Sequence, residues 1–327
     1  MILANKYFSV INNYFLLTKP RVQTLLVFSS ISGAFLAERG IPNMISLAGL
    51  LLGGYFAAGG SSALNMYFEK DIDKNMGRTK NRPIVEGKVK PKNALGFGII
   101  LIVASFLILF TINNLLAALL ALLGSFLYVG FYTLYIKQRT VQNIVVGGAA
   151  GAIPPLVGYA AIGNSITLEA LYLFLIIFFW TPPHFWALAI MIKDDYEKAK
   201  IPMLPVVKGI KNTALQIFLY SIILLLITLL TGVVADSLGW LFMISSVIFG
   251  GIFIYKSFKL FKIANKKEAI LRQMIFTKRG NETVSVHGKT YNCIKIEMKP
   301  TGLAGIAWKA VHNIRQRGAD AQPLLCG

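Results

Sequence analysis

Long apolar runs separated by short polar loops are the dominant pattern along the chain. Runs of about 20 apolar residues predict transmembrane helices, because that length crosses the hydrocarbon core and a helix satisfies its own backbone hydrogen bonds. Such runs predict eight spans, at about 22–37, 44–66, 94–112, 115–136, 141–162, 168–191, 214–234 and 238–255. Small-residue patches within these runs suit close helix packing. The predicted fold class is all-α, a polytopic transmembrane helical bundle.

The composition excludes most soluble classes of protein. Hydrophobic residues make up 55% of the 327 residues and charged residues 14%, against about 25% charged in an average soluble protein. So few charges cannot cover a water-facing surface, which excludes a soluble enzyme, a disordered chain and a nucleic-acid module with a polar surface. The net charge is +19. We interpret it as basic loops that meet lipid headgroups, so the expected partner is the lipid bilayer and not a nucleic acid.

Basic residues alternate between loops and indicate the orientation of the chain. The N-terminal segment and the loops after the second, fourth and sixth predicted spans carry most of the lysines and arginines, whereas the loops between them are nearly bare. Because basic loops stay in the cytoplasm, we expect the N-terminus and these loops to be cytoplasmic. The expected location is the cell (inner) membrane, with the first span acting as its own insertion signal.

Acidic residues are scarce, yet six of the 14 fall in two short stretches at the cytoplasmic ends of predicted spans. The first stretch contains Asn65, Glu69 and Asp73, whose i, i+4, i+8 spacing places them on one helix face. Oxygen ligands stacked in this way suit Mg2+, which takes a few carboxylates together with substrate phosphates. Arg78 and Arg82 follow and offer bidentate donors to phosphate oxygens. The alternative interpretation of this stretch is a solvated, salt-bridged loop.

Several motifs resemble the intramembrane prenyltransferase (UbiA-type) superfamily. The NxxxExxxD stretch that begins at Asn65, followed by RTKNRP, is similar to the superfamily's first motif, NxxxDxxxD. The stretches TKPR, GAAGAIPP, WTPPHFWALA, KDDY and IPMLPVVKG resemble the branch of that superfamily that farnesylates protohaem. The resemblance covers roughly residues 14–275. The chain departs from the superfamily at Glu69, where Asp is usual, and at KDDY, where a second DxxxD is usual.

The resemblance implies an activity and a set of site residues. Members of this branch transfer a farnesyl group from farnesyl diphosphate to a vinyl group of protohaem IX, so haem is a substrate and Mg2+ is the cofactor. The implied metal ligands are Asn65, Glu69, Asp73 and Asp195, and Asp194 or Asp195 would face the first motif as a further catalytic residue. The implied substrate-binding residues are Arg78, Arg82, Lys137, Arg139, His184, Lys193 and Tyr196. Implied assembly partners are a haem A synthase or a terminal oxidase.

His184 lies near the middle of a predicted span, between Trp180 and Trp186 and beside two prolines that we expect to break the helix. An ionisable residue inside the membrane is a functional candidate by default, and imidazole is a common ligand of haem iron. We therefore interpret His184 as a haem contact. The alternative is a neutral histidine that hydrogen-bonds a backbone carbonyl freed by the prolines.

Two other functions stay open. A prenyltransferase that acts on an aromatic quinone precursor would share the first motif and differ in its acceptor. His184 and the KDDY and IPMLPVVKG stretches favour haem as the acceptor. A membrane transporter would use the acidic residues to bind a coupling ion, but transporters place such residues near the bilayer midplane, between inverted repeats. Here the acidic residues lie at the ends of the predicted spans.

The C-terminal region differs in composition from the rest of the chain. Members of the superfamily usually have nine spans, yet the sequence turns polar after Phe276, where a ninth would be expected. We expect a transmembrane prenyltransferase domain over residues 1–276 and a polar, basic tail over 277–327. Alternation within residues 283–298 predicts a short strand pair around His287 and Gly288. The tail is either a fused segment or the product of a frame change that replaced the last helix.

Overall fold

The computed structural model describes residues 2–272, 274–286, 289–300 and 324–326, with side chains described over 8–264. Helices dominate the described residues, which confirms the predicted all-α membrane bundle. The chain divides into two compact units, Met1–Phe258 and Lys259–Gly327.

The helices follow one another with short connections. Two of them continue as π-helical segments, Leu109–Asn113 after α5 and Leu127–Ile136 after α6. In chain order the helices are α1 (Ile2–Leu17), α2 (Pro20–Glu38), α3 (Met44–Phe68), α4 (Lys70–Asp73), α5 (Pro91–Ile108), α6 (Leu115–Phe126), α7 (Asn143–Gly163), α8 (Leu168–Met191), α9 (Lys193–Lys198), α10 (Leu204–Val207), α11 (Gly209–Val234) and α12 (Trp240–Arg272).

Seven helices in the described part of the chain are long and apolar enough to cross a membrane. They correspond to the last seven of the eight predicted spans, with ends that differ by several residues. The first predicted span is present as α2 but is not one of the seven, because Arg21, Gln23 and several serines interrupt its apolar sequence. The chain is therefore a multi-pass membrane protein.

Glycines allow α2 and α7 to pack closely. A Cβ atom at Gly158 would overlap the backbone carbonyl of Ser30, and a Cβ atom at Gly33 would overlap the carbonyl of Pro155. Because both positions lack a side chain, the two helix backbones meet directly, as small residues permit in membrane helices. This crossing fixes the position of α2 in the bundle. Helix α2 begins directly after Lys19, a residue of the candidate site.

Prolines lie inside two of the spanning helices without ending them. Helix α8 continues through Pro182 and Pro183, so the prediction that these residues break the helix is wrong. Helix α7 likewise continues through Pro154 and Pro155. Pro182 and Pro183 are buried, and packing of α8 against α7 and α11 holds the helix together across the lost backbone hydrogen bonds.

The second unit contains the end of α12 and an antiparallel sheet. Strand β1 (Met274–Val286) pairs with β2 (Lys289–Pro300), and β2 pairs with β3 (Leu324–Cys326). The predicted strand pair over residues 283–298 is therefore present and longer than predicted. Its turn, at residues 287–288, lies outside the described residues.

Candidate functional site

The first acidic stretch lies where α3 ends and α4 begins. The backbone amide of Glu69 donates to the carbonyl of Asn65 at 3.0 Å, and the amide of Asp73 donates to the carbonyl of Glu69 at 2.9 Å. The i+4 hydrogen-bond pattern therefore continues across the break, and the three residues follow on successive turns, as their spacing predicts. All three are buried. We call them the oxygen face.

Three cations from other segments contact the oxygen face, one for each of its residues. The Nζ of Lys137 lies 2.5 Å from the Oε1 of Glu69. The guanidinium of Arg82 forms an ion pair with the Oδ2 of Asp73 and lies 4.0 Å from the Oε2 of Glu69. Burial raises the pKa of Asp73, and Arg82 opposes that shift. The third cation is Lys19, whose Nζ donates to the Oδ1 of Asn65 at 2.8 Å.

Lys19 is a site residue that the sequence analysis did not identify. It lies between α1 and α2 in a left-handed backbone conformation, with φ 52° and ψ 60°. Burial, together with the nearby Arg82, lowers the pKa of its ammonium group to about 7. Its second polar neighbour is the hydroxyl of Tyr128 at 3.4 Å, and it forms no ion pair with a carboxylate among the residues whose side chains are described. The TKPR motif that contains it was the available signal.

Gln23 ties the start of α2 to α3 and so fixes the backbone around Lys19. The side chain is fully buried, and its Nε2 donates to the carbonyl of Thr18 at 2.5 Å and to the Oγ of Ser62 at 3.0 Å. The hydroxyls of Thr18 and Tyr55 lie 2.9 Å apart and add a second link between the same segments. Both the carbonyl and the side chain of Thr18 are therefore held in place, and Thr18 directly precedes Lys19.

The π-helical segment Leu127–Ile136 supplies the opposite wall. The Oγ1 of Thr133 accepts from the Nδ2 of Asn65 at 3.1 Å and donates to the carbonyl of Tyr128 at 2.8 Å. The rings of Tyr128 and Tyr132 stack 6.1 Å apart, and the Nζ of Lys137 lies 5.9 Å from the ring centroid of Tyr132. The wide turn aligns residues five positions apart, which brings Tyr128 next to Thr133 and Tyr132 next to Lys137.

The second acidic stretch meets the loop that follows Asp73. A Cβ atom at Gly77 would lie 3.3 Å from the Oδ2 of Asp195, so this carboxylate rests against that loop. Tyr196 is buried, and burial raises the pKa of its phenol while the charge of Arg78 lowers it. The structure therefore brings Asp195 and Tyr196 towards the loop that follows the first stretch.

For three other predicted site residues, no contact with the oxygen face is found among the residues with described side chains. Asp194 is exposed, and Lys193, at the start of α9, forms no ion pair among the residues with described side chains. Arg139 is exposed, and its guanidinium lies 4.3 Å from the ring centroid of Tyr135.

His184 stacks on Trp180 within α8, with ring centroids 4.3 Å apart and planes inclined by 16°. It forms no hydrogen bond with any residue whose side chain or backbone is described, so the alternative of a bond to a freed carbonyl is not observed. Trp180 also borders an apolar cavity of about 360 Å³ between α8, α11 and α12. The cavity is lined by Ile176, Trp180, Ser221, Leu224, Leu225, Thr228, Ser245, Ser246, Phe249, Gly250 and Phe253.

The fold and the site together define a class: a multi-pass helical membrane protein with buried carboxylates and cations gathered at helix ends. The model of the UbiA prenyltransferase family matches residues 26–278. The chain belongs to this family.

Three relatives of this chain share one name. A protoheme IX farnesyltransferase from Roseiflexus sp. (strain RS-1) is 47% identical over 252 residues, which are 77% of this chain and 47% of that protein. Proteins of the same name from Trichodesmium erythraeum and Gloeobacter violaceus are 45% and 44% identical, over 81% and 82% of this chain and 80% and 88% of their own lengths. The chain thus spans about half the length of the Roseiflexus relative and most of the length of the other two.

Solved structures share the fold. A UbiA homolog from Archaeoglobus fulgidus bound to DMAPP and Mg2+ matches with a TM-score of 0.60 at 17% identity, covering 78% of this chain and 87% of that one. A digeranylgeranylglyceryl phosphate synthase matches with a TM-score of 0.64 at 18% identity, covering 80% of this chain and 93% of that one.

Proposed function

We propose that the protein transfers a farnesyl group from farnesyl diphosphate to a vinyl group of protohaem IX, which gives haem O and diphosphate. The observation that carries the proposal is the buried oxygen face, with its two carboxylates and three cations at one helix end. Such a site can hold a metal and an anionic leaving group together. The name shared by relatives that are 43–47% identical supports haem as the acceptor.

Mg2+ fits the donor set of the oxygen face. Mg2+ takes one or two carboxylates and completes its coordination with water and substrate phosphates. Glu69 and Asp73 supply two carboxylates and Asn65 adds an amide oxygen, while Asp195 approaches from the second stretch. Within the described residues, no three His, Cys, Asp or Glu side chains lie close enough together to hold a metal ion by themselves. An open, oxygen-only set suits a metal whose remaining ligands come from the substrate.

When bound, Mg2+ would supply positive charge to the oxygens of the departing diphosphate. The cations of this chain would add to that effect. Arg82 and Lys137 already lie at the oxygen face, Arg78 follows the first acidic stretch, and Lys193 precedes the second. Preorganised charges of this kind stabilise a leaving group without reorganising during the reaction.

The reaction we propose begins with cleavage of the bond between C1 of the farnesyl group and the diphosphate oxygen, which leaves with the bonding electrons. The electrons of the haem vinyl group then form a bond to C1. Water adds to the resulting cation and loses a proton, which gives a hydroxyethylfarnesyl side chain. The stacked rings of Tyr128 and Tyr132 lie within reach of the oxygen face and offer aromatic faces to the allylic cation.

The apolar parts of the substrates need sites of their own. The cavity of about 360 Å³ beside Trp180 offers an apolar lining for an isoprenoid chain or the edge of a macrocycle. His184, stacked on the same tryptophan, is the residue that we assign to contact haem. In the same proposal the basic loops and the oxygen face lie on the cytoplasmic side of the cell membrane, where a haem A synthase or a terminal oxidase would receive the product.

The test is purified protein in nanodiscs with farnesyl diphosphate, haem and Mg2+, followed by mass spectrometry of the products. We expect haem O and an equal amount of diphosphate. A prenylated aromatic acid formed from a quinone precursor, with no haem O, would contradict the proposed acceptor. Saturable flux into vesicles without release of diphosphate would identify a transporter instead.

A further inference from the structure

Each residue of the oxygen face already has a cation as its partner. Lys19 contacts Asn65 at 2.8 Å, Lys137 contacts Glu69 at 2.5 Å, and Arg82 pairs with Asp73. The same oxygens are those that a divalent metal would need. A metal can therefore reach the oxygen face only if these cations are drawn away from it.

The formal charges of the cluster reinforce this competition. With the three cations protonated, Lys19, Arg82 and Lys137 carry three positive charges. Glu69 and Asp73 carry two negative charges when ionised, so the cluster then has a formal charge of +1. Arg78 and Asp195, which lie nearby, add one charge of each sign and leave the sum unchanged. A divalent cation alone would raise the formal charge to +3 in a buried setting, where like charges repel strongly.

A bound diphosphate would remove both obstacles to metal binding, which are the competing cations and the excess positive charge. Its oxygens accept hydrogen bonds from lysine and arginine and bring several negative charges, so the three cations gain a better partner than the oxygen face. Lys19 is the most favourable case, because its ammonium group is partly buried and has no carboxylate partner among the residues with described side chains. A buried cation without a counter-ion is stabilised by an incoming anion.

We propose that Lys19, Lys137 and Arg82 act as a switch between metal ligands and substrate. They hold the oxygen face until a diphosphate arrives and then bind the diphosphate, so the divalent cation binds tightly only together with it. Lys19 is thereby assigned as a third diphosphate-binding cation. The inference rests on the proposed function for its ligand, a prenyl diphosphate, but it concerns the order of binding and not the acceptor.

The test measures binding and needs no turnover. Mn2+ replaces Mg2+ as an electron paramagnetic resonance probe, and inorganic diphosphate is titrated separately by calorimetry, both with the full-length protein in nanodiscs. Removing one nearby charge should tighten the binding of Mn2+ alone by about tenfold or more in Lys19→Met and in Lys137→Met. The same variants should bind inorganic diphosphate about tenfold more weakly.

Two control variants separate the local charge from other effects. Lys19→Arg keeps the charge and should bind Mn2+ as the unmodified protein does. Lys74→Met removes the same charge from an exposed lysine that pairs with Asp71, and it should leave both titrations unchanged. A rise in Mn2+ affinity cannot come from loss of folding, so its sign is informative for either lysine.

The proposal is overturned if Mn2+ alone binds both Lys19→Met and Lys137→Met no more tightly than it binds the unmodified protein. Failure of the proposed function gives a different result. In that case Mn2+ binding would tighten in the variants and inorganic diphosphate would still bind, while farnesyl diphosphate and haem would yield no product.

Discussion

The ammonium group of Lys19 lies 2.8 Å from the Oδ1 of Asn65, across 46 positions of sequence. This hydrogen bond joins the junction of α1 and α2 to the last turn of α3. It depends on a left-handed backbone conformation that non-glycine residues rarely adopt. The surrounding structure must therefore hold Lys19 in place, and Gln23 is the residue that does so.

We expect Gln23→Leu to raise the KM for farnesyl diphosphate by about tenfold, with a smaller change in kcat, because the side chain would no longer bond the carbonyl of Thr18. The lost hydrogen bonds would also lower the free energy of unfolding by about 1–2 kcal/mol. Thr24→Val is the matched control, since the hydroxyl of Thr24 is exposed and bonds only within its own helix. A loss of stability with an unchanged KM would show that Gln23 does not position Lys19.

Asp73→Ala should lower the rate of farnesyl transfer by about 100-fold or more while the protein still inserts into the membrane, because a ligand of the proposed metal is removed. Asp71→Ala is the control in the same short helix, where the carboxylate is exposed and pairs with Lys74. Glu69→Asp should be milder, because a shorter carboxylate still offers oxygens to the metal. Near-normal activity of Asp73→Ala at limiting Mg2+ would remove the oxygen face from the proposed metal site.

His184→Ala should raise the KM for haem by about tenfold and leave the KM for farnesyl diphosphate unchanged. The reason is that His184 lies in α8 beside Trp180, and none of its ring contacts involves the oxygen face. Leu188→Ala is the control, because this side chain of the same helix is exposed. The absorption spectrum of added haem reports the same contact directly. An unchanged spectrum and unchanged KM for haem would assign His184 a structural role.

Gly158→Ala should destabilise the bundle by about 1–3 kcal/mol, because the added methyl group overlaps the carbonyl of Ser30 at the crossing of α2 and α7. Gly151→Ala, in the same helix, has open space around its Cβ position and should be neutral or slightly stabilising. Thermal unfolding of the two variants in detergent makes the comparison. Equal stabilities would show that the two backbones can separate at no cost.

Deletion of the tail, residues 278–327, should leave membrane insertion and haem O yield largely intact. The residues proposed to hold the metal, the diphosphate and haem all precede residue 212, and the lining of the cavity beside Trp180 ends at Phe253. The sheet of β1, β2 and β3 belongs to the second unit. We therefore propose that the prenyltransferase domain does not need the tail. The amount of inserted protein and the haem O yield are measured for both lengths. A truncated protein that inserts normally but makes no haem O would contradict this proposal.

The parts of the site that sequence could predict are local in the chain. Asn65, Glu69 and Asp73 lie four residues apart, and helical geometry alone places them on one face. Their partners could not be deduced in the same way. Lys137 reaches Glu69 across 68 positions, and nothing in the apolar pattern around it indicates which carboxylate it contacts.

Backbone irregularities explain most of the remaining differences. The spans at residues 94–112 and 115–136 were predicted as regular helices, but both end in π-helical segments, which no hydrophobic period distinguishes. The prolines of α8 suggested a break because they remove hydrogen bonds, yet packing with α7 and α11 outweighs that loss. In both cases tertiary contacts decide the local geometry.

The number of residues in the π-helical segment Leu127–Ile136 determines which of its side chains face the site. Each turn of a π-helix contains more residues than a turn of an α-helix. At the end of the segment, the amide of Lys137 donates to the carbonyl of Tyr132, five positions earlier. Loss of a single residue here would allow the segment to relax into an α-helix and would rotate Lys137 about the axis relative to Tyr128. Substitutions in this segment change one side chain, whereas a one-residue deletion changes which side chains face Glu69 at all.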